Sequence, residues 1–140
     1  MAARTWDRTL ETGIEDLDAH HRILFDTLSR LRAAAGAGRT AEAQDVVYFL
    51  RDFCVQHFLE EQELMVRSAY PGDPAHRAAH AEAAREVDLL LDRLRSGAAA
   101  LTPGILDGLD AWLVKHIREE DFRLAEFLVR AGAPEEKEPS

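Results

Sequence analysis

Proline and glycine are gathered into short clusters, and those clusters cut the chain into four long pieces. The first piece runs from about Asp18 to Ala35 and ends at GAG. The second opens at Thr40, a good N-cap, and continues to about Ala69 before YPGDP. The third opens with Asp73 as cap and Pro74 at the first helical position, and ends near Ser96 and Gly97. The fourth repeats that device with Thr102 and Pro103 and stops at Gly132. Between the clusters stand mostly Ala, Leu, Glu, Arg and Asp, with no alternation of period two. All but Asp are good helix formers, and Asp suits first turns. The spacing predicts an all-α chain.

Each piece carries an apolar stripe at helical spacing. The first has Leu17, Leu24, Leu28 and Leu31; the second has Val46, Leu50, Phe53 and Leu64. The third has Val87, Leu90 and Leu94, and the fourth has Leu109, Leu113, Ile117 and Leu124. Short links between long amphipathic helices favour antiparallel neighbours, hence an up-down-up-down antiparallel four-helix bundle. We expect one bundle over 1–133, with 1–17 an N-terminal arm packed on its outside through Trp6, Leu10 and Ile14. The stretch 134–140, PEEKEPS, reads as a charged, disordered tail.

Composition removes several classes of function. The chain has 140 residues, enough for one core and too few for two domains. Its net charge of −9 makes nucleic acid or an anionic membrane a poor partner. The longest uncharged run, SGAAALTPGIL, is too short and too broken to be a membrane span. Cys54 is the single cysteine, which excludes an internal disulfide and favours a reducing compartment. The start, MAARTWDRTLE, lacks the apolar core of a signal peptide. Together these features point to a cytoplasmic protein, expected to be a monomer.

The stripes are interrupted by residues of the wrong kind. His21 falls between Leu17 and Leu24, while His57 and Glu61 fall between Phe53 and Leu64. His76 and His80 lie four apart on the line that continues through Ala83, Val87 and Leu90. His116 and Asp121 flank the line of Leu113, Ile117 and Leu124. At about 100° per residue, their five-residue separation places them about 140° apart, one on each edge of the inward face. One such histidine is ordinarily a hydrogen-bonded core residue. Five histidines and two carboxylates on four stripes need something to offset their burial.

Their heights agree. In an antiparallel bundle the starts of helices one and three lie beside the ends of two and four. The seven residues therefore fall in one layer, and a metal site follows. Histidine and carboxylate without thiolate suit iron, manganese or zinc, and seven ligands are too many for one ion. Two octahedral ions offer twelve positions. Five histidines, two bridging carboxylates and one bridging oxo or hydroxo group fill eleven. One position remains for a small exogenous ligand.

The ordered pattern His, His-x-x-x-Glu, His-x-x-x-His, His-x-x-x-x-Asp resembles the hemerythrin family in its single-domain bacterial form. The likeness runs from TWDRTLETGIEDLDAHHRILF through HFLEEQELM and YPGDPAHRAAH to WLVKHIREED. It implies two non-haem Fe ions, oxo- or hydroxo-bridged, that bind O2 reversibly. By that resemblance His76, His80 and His116 ligate one iron, His21 and His57 the other, and Glu61 and Asp121 bridge. The O2 position then lies on the iron with two histidines. Two residues depart from the family. His20 stands where glutamine is common, pointing about 100° away from His21, in a surface or supporting role. Ala83 replaces a bulky aromatic. Either a larger side chain from another helix fills the space, or it stays open as an apolar pocket beside the irons. Cys54, one step off the inward line, reads as a small packed hydrophobe. Phe58 and Trp112 read as core or pocket wall.

The expected function is an O2 carrier, store or supplier, not an enzyme, serving an oxygen-using enzyme or a reductase. The alternative is a di-iron enzyme or sensor acting on peroxide, nitric oxide or O2. The paired Glu-x-x-His motifs of carboxylate-rich di-iron oxidases are missing from the sequence, which argues against O–O cleavage.

Overall fold

The computed structural model describes residues 6–130, and every regular element among them is helical. The tail expected at 134–140 lies outside the described residues. After a 3-10 turn at Arg8–Leu10 come the helices α1 (Glu15–Gly36), α2 (Thr40–Ser68), α3 (Asp73–Leu94) and α4 (Pro103–His116). A π turn (Ile117–Asp121) joins α4 to α5 (Phe122–Arg130). Backbone angles stay in the right-handed helical region across both junctions, so α4, the π turn and α5 form one rod. The result is the expected antiparallel four-helix bundle. α2 packs on α1 and α3, and α1 packs on α4, but α3 and α4 make little close backbone contact.

Local chemistry explains most of the boundaries. Thr102 caps α4 as expected, its Oγ1 accepting from the Ile105 N–H at 3.3 Å. Two other expected caps are used differently. Thr40 turns its Oγ1 to accept from the Ala98 N–H at 3.0 Å, tying the start of α2 to a 3-10 turn at Ala98–Ala100. Asp73 is the first residue of α3 with Gly72 as cap, and its carboxylate pairs with Arg77 one turn on. α2 ends with Ala69 in the left-handed region at φ 54°, an unusual place for a side chain with a Cβ.

α1 begins at Glu15, three residues before the expected start. The segment before it leaves Asp7, Arg8, Thr9 and Glu11 exposed while its apolar side chains turn inward. Leu10 and Ile14 are fully buried, in the larger and smaller apolar clusters respectively. The buried Asp18 carboxylate holds this segment down by accepting from the Thr12 N–H at 2.8 Å and the Thr12 hydroxyl at 2.9 Å. On α2 the inward line runs Ala43, Val47, Leu50, Cys54, His57, Glu61, Leu64. Cys54 is therefore on the line, not beside it, and Val46 and Phe53 flank it half-buried.

Candidate metal centre

All seven predicted residues meet in one layer near one end of the bundle, and all are buried. His21 comes from α1, His57 and Glu61 from α2, His76 and His80 from the start of α3. His116 closes α4 and Asp121 closes the π turn. The 140° separation expected for His116 and Asp121 is not seen. A π turn closes its hydrogen bond from i to i+5, as the Phe122 N–H does onto the Ile117 carbonyl. Residues five apart then stack, and His116 Nε2 stands 3.4 Å from Asp121 Oδ1.

The two carboxylates divide their oxygens between two groups of histidines. Glu61 directs Oε2 to His57 Nε2 at 3.0 Å and Oε1 to His76 and His80 Nε2, each at 2.9 Å. Asp121 directs Oδ2 to His21 Nε2 at 2.8 Å and Oδ1 to His76 and His116 Nε2 at 3.1 and 3.4 Å. Two sets of ligand atoms are close enough to share an ion: Glu61 with His76, His80 and His116, and Glu61 with His21 and His57.

Of these contacts, only those of His76 and His80 Nε2 with Glu61 Oε1 are hydrogen bonds. His21 and His116 have no hydrogen-bonded ring nitrogen, and both Asp121 oxygens and Glu61 Oε2 are likewise without partners. Buried polar atoms are almost always paired, because leaving them bare costs the full desolvation penalty. Lone pairs aimed at common points, with no donor to receive them, are what a cation requires. The donor set fits iron, with imidazole and carboxylate and no thiolate.

Comparison with known proteins agrees with this geometry. Residues 12–128 match the family model described as the hemerythrin HHE cation binding domain. The chain belongs to the hemerythrin family. It is 30% identical to a bacteriohemerythrin of Stenotrophomonas maltophilia over 121 residues, covering 86% of this chain and 78% of that one. It is 30% identical over 118 residues to a myohemerythrin of Sipunculus nudus, covering 84% and 88%. A wild-type hemerythrin crystal structure superposes with a TM-score of 0.81 at 26% identity, over 91% of this chain and 98% of that one.

The electrostatics of this hemerythrin site are those of a cation sink. Burial raises the cost of a charged Glu61, but His57, His76 and His80 outweigh it and hold the carboxyl well below its ordinary range. Burial and Glu61 push Asp121 up; His116 and His21 overcome both and bring it well below. His76 feels burial too, yet its contacts with Asp121 and Glu61 raise it to about 10. Without metal, protons on such imidazoles balance the two carboxylates.

Around the seven stand residues that support them. Phe58 stacks on His80 with ring centroids 4.0 Å apart, and Trp112 on His116 at 4.9 Å. Both also line a cavity of about 340 Å³ that includes Ala83 and reaches His21, His57, His116 and Asp121. The space at Ala83 therefore stays open. The two aromatics that could fill it are engaged in stacking on the histidines. Cys54 lines the same cavity, and burial pushes its thiol up to about 12, consistent with a packed apolar role.

Sequence reasoning gave His20 a surface or supporting role without naming its partner, and it missed Asp110. His20 Nδ1 sits 2.8 Å from His57 Nδ1, so His20 supports α2 across the helix interface. Asp110 is buried and holds Arg32 at 2.8 Å, an ion pair between α4 and α1. Asp110 lies three residues before Leu113, so helical spacing alone could have placed it inside. Nothing in the sequence marks His20 as a partner of His57. No helix among the described residues is long and apolar enough to cross a membrane.

Proposed function

We propose that this chain binds O2 reversibly at two non-haem iron ions. His76, His80 and His116 hold one ion, His21 and His57 the other, and Glu61 and Asp121 bridge them. The observation that carries this reading is the division of each carboxylate between the same two histidine groups. When bound, a ferrous pair can lend two electrons to O2 and recover them on release.

The chain's own residues shape what reaches the site. Both histidines of one group, His21 and His57, face the cavity, against His116 alone of the other three, which favours ligand binding on the two-histidine side. The apolar wall lets O2 approach while offering water few hydrogen bonds. His20 and Glu61 fix the His57 ring from its two sides, Nδ1 and Nε2. Neutral imidazoles with only two carboxylates favour binding over O–O cleavage, so we assign a carrier or supplier role and no catalytic reaction.

Visible spectroscopy of the anaerobically reduced, iron-loaded protein tests this. An absorption band that appears with O2 and disappears on its removal, at two irons per chain, is the expected result. One-way bleaching with peroxide turnover would make it an enzyme instead, and one metal per chain would end the dinuclear reading.

A further inference from the structure

The cavity beside the metal centre is larger than O2 binding requires. Its volume of about 340 Å³ is more than twice the roughly 150 Å³ of an apolar cavity that holds benzene. A diatomic ligand at the metal centre would occupy only the inner end, where His21, His57 and His116 are found.

Three local causes keep the space open. Ala83 on α3 contributes only a methyl group where the inward line passes the site. α4 presents Gly104 and Gly108, one turn apart, at the cavity edge. A Cβ built on Gly108 meets nothing within 4 Å. Finally, α3 and α4 stand apart along this seam, while the other three seams of the bundle are packed. The cavity is partly open along this seam, so its apolar wall faces solvent until something covers it.

The lining defines the occupant. Beyond the metal end the wall consists of side chains such as Leu28, Leu50, Val87, Leu90, Ile105 and Trp112. The remaining charged groups, Glu82, Glu86 and Arg93, are exposed and stand at the outer edge. Water there would lack the two to four polar partners that hold a buried molecule. A charged ligand would lose its hydration against an apolar wall with no counter-charge inside.

We propose that this cavity is a binding site for an uncharged, largely apolar organic molecule about the size of indole. The molecule passes between α3 and α4 and seats against Phe58 and Trp112. This goes beyond the O2 reading and does not depend on it, since the apolar wall is formed by α1 to α4 themselves.

Calorimetric titration of the iron-loaded protein with indole, repeated with benzene, tests the site. We expect saturable binding at one molecule per chain. Gly108→Leu fills the outer end from an exposed helical position, so it should keep iron content and melting temperature yet weaken indole at least tenfold. Ala83→Phe fills the inner end and should do the same. No binding to the unmutated protein, or equal binding to both variants, would overturn the proposal. Iron content and the azide band, measured on the same samples, report on the metal centre separately. Loss of the azide band with indole binding intact would sink the O2 reading alone.

Discussion

His20 Nδ1 lies 2.8 Å from His57 Nδ1. One ring nitrogen must donate and the other accept. With a metal ion on the His57 Nε2 lone pair, the ring proton would sit on Nδ1 and donate to His20, which would orient the ring and hold the tautomer that binds metal. Hydrogen-bond partners behind a ligating histidine are worth about 10- to 100-fold in metal affinity. His20→Leu should therefore lose iron to a chelator about tenfold more readily, while His20→Gln, which keeps an acceptor, should stay near the original. Equal retention in His20→Leu and the unmutated protein would contradict this.

Asp121 touches both histidine groups, whereas His21 belongs to one. A bridging carboxylate fills two coordination positions and supplies charge; an imidazole fills one and is neutral. Asp121→Ala should accordingly retain less iron than His21→Ala in elemental analysis. Comparable occupancy would remove the bridging role.

The metal-stripped protein should have a distinctive pH profile. His76 is raised from 6.5 to about 10, so its stabilising contribution is complete below about pH 6.5 and is lost as pH rises through 10. Glu61 and Asp121 are held well below 4.5 and 3.8, so their contribution is present above those values and is lost only in strong acid. Melting temperature without metal should then peak near pH 5 to 6 and decline toward pH 10. Iron competes with protons for the same nitrogens, so the iron-loaded form should melt higher and not show that decline. Coincident curves for the two forms would refute the linkage.

Ala83→Phe should slow azide binding to the diferric protein and slow autoxidation, because the ring would occupy the route lined by Ala83 and Val87. Stopped-flow mixing with azide measures the first rate, and loss of the oxygenated band in air measures the second. Unchanged rates would mean that small ligands arrive another way.

Ala69 holds φ 54° at the end of α2. The left-handed region costs a residue with a Cβ about 1 kcal/mol or more, and glycine almost nothing. Ala69→Gly should raise the melting temperature by a few degrees. A lower melting temperature would show that the unfolded-state entropy of glycine outweighs the relief of strain.

How far the site was legible depended on whether a residue's role follows from its own helix. His21, His57, Glu61, His76 and His80 each break an apolar stripe at helical period, and that alone aimed them inward. His116 and Asp121 were placed correctly as residues but not in angle, since an ideal helix separates positions five apart by about 140°. The π turn that aligns them involves one hydrogen bond shifted by one residue, which no propensity announces. Asp73 and Thr40 show the same limit at caps. Each has the right chemistry for capping, but Arg77 and the Ala98 N–H offered other partners.

The sequence by itself determined the helix count, the bundle, the seven inward polar residues and their common height, because period and punctuation are local properties of a chain. Tertiary structure decided what neighbouring helices do to one another. It paired His20 with His57, drew Leu10 of the arm into the core, and set Phe58 and Trp112 against His80 and His116 instead of into the gap at Ala83. Those outcomes depend on side chains competing for the same volume across helix interfaces. That competition is settled only when the helices are packed together, so spacing along one helix cannot express it.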